Sequence, residues 1–223
     1  MMRMRKLRSN GLLGIVGLFL LLLSGCGGDD HVIITGPGLV GIDDHPTVAI
    51  TAPELSVAYR IPADARIFTA LIFSDQPSDG DIEFDRFSGS FIITQGPSTL
   101  LFGIDSAAGN RPEFRAFLDF PLDGSTGEDA IPLDAVIVSA TLTIFVDFVD
   151  FAARVPVLLD LVEYSVVLGL APADFDSFPL GGLAFDLFAV DAGNDVQIDV
   201  TGLMRQAQQL ALNDFQVRFL LGP

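Results

Sequence analysis

The chain has 223 residues, 12 Lys+Arg against 29 Asp+Glu, and one cysteine. A single cysteine excludes an intrachain disulfide framework and a zinc site built on several thiolates. Beyond residue 25 the chain carries eight arginines, no lysine and all 29 acids, a net charge of −21. Such a surface repels phosphates and offers no basic stripe for a nucleic acid.

The first ten residues are basic, with Arg3, Arg5, Lys6 and Arg8, and residues 11–23 form an apolar run. A membrane-spanning helix needs roughly 20 apolar residues, so this shorter run fits a signal-peptide core. It ends in Leu23-Ser24-Gly25-Cys26, which resembles the lipobox of bacterial lipoproteins. The resemblance implies removal of residues 1–25 as a signal and attachment of a diacylglycerol, with fatty chains such as palmitate, to the Cys26 thiol. Cys26 sits among Gly25, Gly27 and Gly28, which form no core. Each buried methylene contributes about 0.8 kcal/mol, so two or three acyl chains hold a protein stably on a membrane. Residues 26–46 are then the lipidated cysteine and a spacer rich in Gly and Asp, which also contains His31 and His45. In the lipoprotein sorting pattern an aspartate after the cysteine favours the inner membrane; Gly27 stands there, which implies the outer membrane.

From residue 47 onward alternation dominates. Runs at about 47–51, 55–61, 67–73, 91–94, 99–104 and 114–121 read as strands separated by Gly, Pro and Asp clusters. Ala140, Leu142, Ile144, Val146 and Phe148 share one face of a further strand, and Val155, Val157, Leu159 and Leu161 one face of the next. Val196, Ile198 and Val200 follow, then Phe215, Val217, Phe219 and Leu221, with Gln216 and Arg218 on the opposite face. Between these last two runs Thr201 is positioned to cap a helix over Gly202–Ala211, its apolar side formed by Leu203, Ala207, Leu210 and Ala211. Asn213 ends it. Many short strands and one short helix predict an all-β domain over residues 47–223, an antiparallel, jelly-roll-like β-sandwich with a helix near the C-terminus. The absence of a βαβ rhythm excludes a doubly wound nucleotide fold. An outer-membrane barrel needs girdles of Tyr and Trp, whereas this chain has two Tyr, no Trp and 19 Phe.

Three segments, in order, resemble the DNRLRE family of extracellular β-sandwich modules over about residues 66–223. They are Phe114-Arg115-Ala116-Phe117-Leu118-Asp119-Phe120, Ile131-Pro132 through Ile137-Val138-Ser139-Ala140-Thr141-Leu142-Thr143-Ile144, and Asp199-Val200-Thr201-Gly202-Leu203-Met204. Ser78-Asp79-Gly80-Asp81-Ile82 and Leu101-Phe102-Gly103 fit the opening strands more loosely. The resemblance implies the sandwich fold and a non-catalytic surface module. Some members of the family bind acidic polysaccharides, but a chain of charge −21 is a poor partner for a polyanion.

No residue set points to catalysis, a cofactor or a metal. His31 and His45 both lie in the spacer, away from any nucleophile in the body. The 29 acids make a chance carboxylate pair at glycosidase spacing uninformative. The loops Asp119–Asp129 and Asp191–Asp195 are rich enough in carboxylates for calcium, yet neither has EF-hand spacing, and Asp and Gly make turns on their own account. Asp174 and Asp176 read the same way. The expectation is a lipid-anchored cell-envelope protein whose non-catalytic module binds a glycan or a protein partner. The alternatives are an assembly subunit of an envelope complex and a hydrolase built on paired Asp.

Overall fold

The computed structural model describes residues 46–64 and 66–223. Eleven strands alternate with short turns: β1 (Thr47–Arg60), β2 (Phe68–Phe73), β3 (Gly80–Asp85), β4 (Ser90–Gln95), β5 (Thr99–Ile104), β6 (Glu113–Pro121), β7 (Val136–Asp150), β8 (Arg154–Val162), β9 (Gly181–Phe188), β10 (Asn194–Asp199) and β11 (Asp214–Leu221). The helix α1 (Thr201–Gln209) precedes β11. Every strand pair is antiparallel.

The strands do not separate into two independent sheets. They form one hydrogen-bonded sheet in the order β10-β7-β1-β5-β6-β11-β8-β9, with β2 on β1, β3 on β6 and β4 on β3. The seam is β5: it pairs with β1 along Thr99–Gly103 but with β6 only through Gly103–Phe114 and Ile104–Glu113. At that seam Gly103 has φ +117°, and a Cβ there would collide with the Pro46 carbonyl. The sheet curls so that strands distant in its order meet across one core. Leu142 and Ile144 of β7, Leu159 and Leu161 of β8, and Phe215 and Phe219 of β11 belong to the same buried cluster. The Phe102 ring of β5 lies 5.5 Å from that of Phe219. Burying each such side chain contributes roughly 1.5–3 kcal/mol, so this inner face supplies most of the stabilisation.

Bulges explain where the pattern and the fold diverge. The runs 47–51 and 55–61 are one strand, bent where Thr51 and Glu54 pair with Phe145 and Thr143 and leave an extra residue on β1. Ala52 has φ 46° there, and the following Pro53 has no N–H to give to the ladder. On β7 the pairing steps from Phe148 to Val146 between Ala49 and Ile50. That slip moves Phe148 off the inner face, where it is 37% exposed, and brings Val149 towards the core.

The helix differs in detail from its sequence reading. Thr201 lies inside α1 rather than capping it: its Oγ1 accepts a hydrogen bond from the Ala140 N–H, and the Asp199 carboxylate accepts the Thr201 N–H at 2.9 Å. The buried side is Leu203, Met204 and Ala207; Leu210 is half exposed and Ala211, at φ 56°, is already past the helix end. Ending two residues earlier than expected, α1 still bridges β7 and the entry to β9. Arg205 donates to the Ile137 and Val138 carbonyls at the start of β7, and Gln206 donates to the Leu180 carbonyl ahead of β9.

Candidate functional site

The lipobox residues Leu23, Ser24, Gly25 and Cys26, and both histidines, lie outside the described residues. In the body, the outer face of β3, β6, β11 and β8 is not open to solvent. The 18-residue connection between β8 and β9, residues 163–180, runs across it as a strap. Tyr164, Leu170 and Phe175 of the strap pack with Ile82, Phe117 and Val162, flanked by Phe84, Phe91 and Ile93. The Tyr164 ring stands edge-on to Phe117 at 5.7 Å, and Phe175 lies 5.6 and 5.5 Å from Phe84 and Phe91. Gly80, in β3 beneath the strap, is constrained chiefly by β4, because a Cβ there would collide with the Thr94 carbonyl as well as meet Leu170 Cδ1.

At its far end the strap is held by two arginines. Arg218, only 3% exposed, donates from Nη1 to the carbonyls of Asp174 and Phe175 and to Ser177 Oγ. Its Nη2 meets Asp160 Oδ2 at 2.7 Å. Arg115 lies over the Phe175 ring at 3.8 Å, donates to the Phe175 carbonyl, and pairs with Glu113 and Asp176 at 2.9 Å each.

At its near end the strap meets carboxylates with no cation. Asp119 of β6 is 1% exposed, and neither of its carboxylate oxygens has a hydrogen-bond partner; nor does Nε2 of the buried Gln216 opposite it on β11. The turn Asp75–Asp79 docks here: the Asp75 N–H donates to the Asp119 carbonyl, and the Asp119 N–H donates to Asp79 Oδ1, both at 2.8 Å. Above the pair, the Tyr164 N–H donates to Gln216 Oε1 at 2.8 Å and its hydroxyl to the Ser78 carbonyl at 3.4 Å. Burial pushes Asp79 up to about 7, against hydrogen bonds from Ser74 and the Asp119 N–H, and Asp119 up to about 7, against the pull of the neighbouring Gln216 amide. Tyr164 is raised well above its ordinary value by burial and by both carboxylates; Asp214 is raised too, first by burial and then by Asp123 and Asp75. Asp81, opposite Ala116 on β3, is raised to about 6, chiefly by burial.

The carboxylate-rich loops do other work. Asp123 accepts the Ser125 N–H in a tight turn with Gly124 at φ +83°, and Asp191 accepts the Phe188 N–H at the start of a 3-10 turn. Asp174 likewise accepts the Ala171 N–H, while Asp176 faces Arg115. Among the described residues no group of three or more His, Cys, Asp or Glu side chains is arranged to hold a metal ion, and no helix is long and apolar enough to cross a membrane.

Among the described residues, two of the concavities have room for a ligand. One, of about 640 Å³, is lined by Leu122, Ile131, Leu133, Met204, Leu212 and Asp214 among others, and has no aromatic wall. The other, of about 380 Å³, lies at the bend of β1 and carries the half-exposed Phe73 beside Glu54, Ser74, Gln76 and Ser98. Asp79 lines its floor. The alternation pattern gives no sign of Phe73 as a surface residue, because it ends an apolar strand. No family model, curated protein or solved structure matches the chain.

Proposed function

We propose that the protein is a lipid-anchored component of the bacterial cell envelope, held through Cys26 at the outer membrane, whose β domain is a non-catalytic binding module. The lipobox-like Leu23-Ser24-Gly25-Cys26 after a short apolar run supports the anchor. The module's place as a DNRLRE-like sandwich is part of the same proposal, and rests on the three ordered segments and on the two halves of the curled sheet sharing one core. The observation that carries the binding role is the concavity around Phe73. An exposed aromatic face beside Glu54, Ser74, Gln76 and Ser98 offers a stacking platform with hydrogen-bonding groups around it, the chemistry a neutral or basic sugar needs.

An assembly role is the second reading. It is favoured by apolar side chains left on the surface, with Phe87, Val167, Leu168 and Phe178 each more than 80% exposed. Both readings share the anchor, which is tested by fractionation: Cys26→Ser is expected to release the protein from membranes and abolish palmitate incorporation, and unchanged fractionation contradicts it. The binding reading is tested on an array of neutral and amino-sugar glycans. Retention that drops at least about tenfold with Phe73→Ala supports it; no retention, together with a co-purifying envelope protein, supports the assembly reading instead.

A further inference from the structure

Besides the neutral hydrogen bond from the Leu170 N–H to Gln95 Oε1, the strap has two attachments of opposite electrostatic kind, one tied by cations and one resting on carboxyls without them. Its arginine end, around residues 174–177, is tied by Arg115 and Arg218, whose partners are carbonyls, a hydroxyl and the carboxylates of Glu113, Asp176 and Asp160. Its near end, at Tyr164, rests on Asp79, Asp119 and Gln216, where the buried Asp119 oxygens have only the Gln216 amide beside them and no cation.

We propose that Asp79 and Asp119 form a proton-operated latch: the near end of the strap is closed while the pair shares at least one proton, and loosens when both carboxyls are ionised. The groups facing the pair leave no other way to neutralise it. Asp75 comes from the docked turn, Asp214 from β11 and Tyr164 from the strap; Asp123 adds its charge through Asp214, and Asp174 through Tyr164. None is a cation. The nearest arginine on this face, Arg218, is committed to Asp160 and to the strap carbonyls. Two anions placed together in a buried site raise each other's cost, and burial adds to it, so one proton is retained until the pH approaches neutrality. The Gln216 amide is placed to donate to one Asp119 oxygen in either protonation state, and a proton on the other oxygen removes the charge that no cation balances. That contact also fixes Gln216, whose Oε1 receives the Tyr164 N–H. Asp79 lines the concavity of about 380 Å³ at the bend of β1, which gives water a place from which to exchange the proton.

Opening would free Tyr164 from Phe117 and uncover the apolar cluster beneath, while the arginine end stays tied. The device is a hinged flap.

The test is amide hydrogen exchange on the full-length protein at pH 5.5 and 8.5, with rates corrected for the intrinsic pH dependence. Protection of residues 163–170 is expected to fall by at least about tenfold at the higher pH, while residues 174–177 change little. The double substitution Asp79→Asn with Asp119→Asn is expected to make residues 163–170 insensitive to pH. Equal protection at both pH values overturns the latch, as does an equal loss along the whole strap or a pH response that survives in the double variant. Calcium chloride that restores protection at pH 8.5 in a saturable way also overturns it, since the pair would then be a cation site. Should the double variant fail to fold, the wild-type contrast between residues 163–170 and 174–177 decides alone.

Discussion

Arg218 and Asp119 are both buried, on neighbouring strands of the same face and under the same strap, yet their surroundings are opposite. Arg218 has a carboxylate partner at 2.7 Å and three further acceptors, leaving only Nε without a partner. Asp119 has no cation at either oxygen, only the Gln216 amide beside it. The contrast teaches that burial alone does not set a polar group's effect on the fold. A paired charge adds rigidity and binds the strap in place; an unpaired carboxyl is tolerated by holding a proton, and so ties local stability to pH.

The largest expected effect comes from breaking the paired side. Arg218→Ala strips Asp160 of its partner and the strap of three hydrogen bonds, and is expected to lower the unfolding free energy by about 3–5 kcal/mol in urea denaturation. Replacing both partners, Arg218→Met with Asp160→Leu, is expected to recover much of that loss, because no charge is then left buried alone. A double variant no more stable than Arg218→Ala would show that the strap's carbonyls, not the ion pair, set the cost.

A smaller effect, of opposite sign, is expected on the unpaired side. A carboxyl near 7 in the fold and near 4 in the unfolded chain binds its proton more tightly when folded. Its contribution is complete below about pH 4 and is lost as the pH rises through about 7. Asp119→Asn is therefore expected to match the wild type near pH 4 and to exceed it at pH 8 by about 1–2 kcal/mol, read from urea midpoints at the two pH values. A variant less stable at both would make the carboxylate a needed structural acceptor. The smallest effect belongs to an exposed pair: Arg154→Ala removes the bridge to Asp186, where the arginine side chain is 65% exposed, and is expected to leave the urea midpoint unchanged.

The inner face was legible in the sequence because a period of two is enough to mark it. Val155, Val157, Leu159, Leu161, Phe215, Val217 and Phe219 are all buried as their alternation predicts. The curl was not legible, since it depends on the bulge at Ala52-Pro53 and on a two-residue pairing between β5 and β6. Alternation does not mark β3 or β9, because Gly80, Asp81 and Glu83, or Gly181, Gly182 and Asp186, break their apolar pattern; only the family resemblance touches β3, through Ser78–Ile82. The outer face was misleading: Gln216 and Arg218 alternate like solvent-facing residues but are 3% exposed each. The signal that could have warned of this is the connection itself. Residues 163–180 hold Tyr164, Leu170 and Phe175 in a segment too apolar for an ordinary loop, which predicts that it covers something.

The most direct test of this account is a carboxyl-detected NMR titration of Asp79 and Asp119 in the folded protein. Two coupled transitions centred near pH 7 are predicted, with Asp123 and Asp199 titrating below the ordinary carboxylate range in the same spectra. Ordinary transitions near pH 4 for both Asp79 and Asp119 would contradict it, and would mean that the near end of the strap admits enough water or counter-charge to keep them ionised.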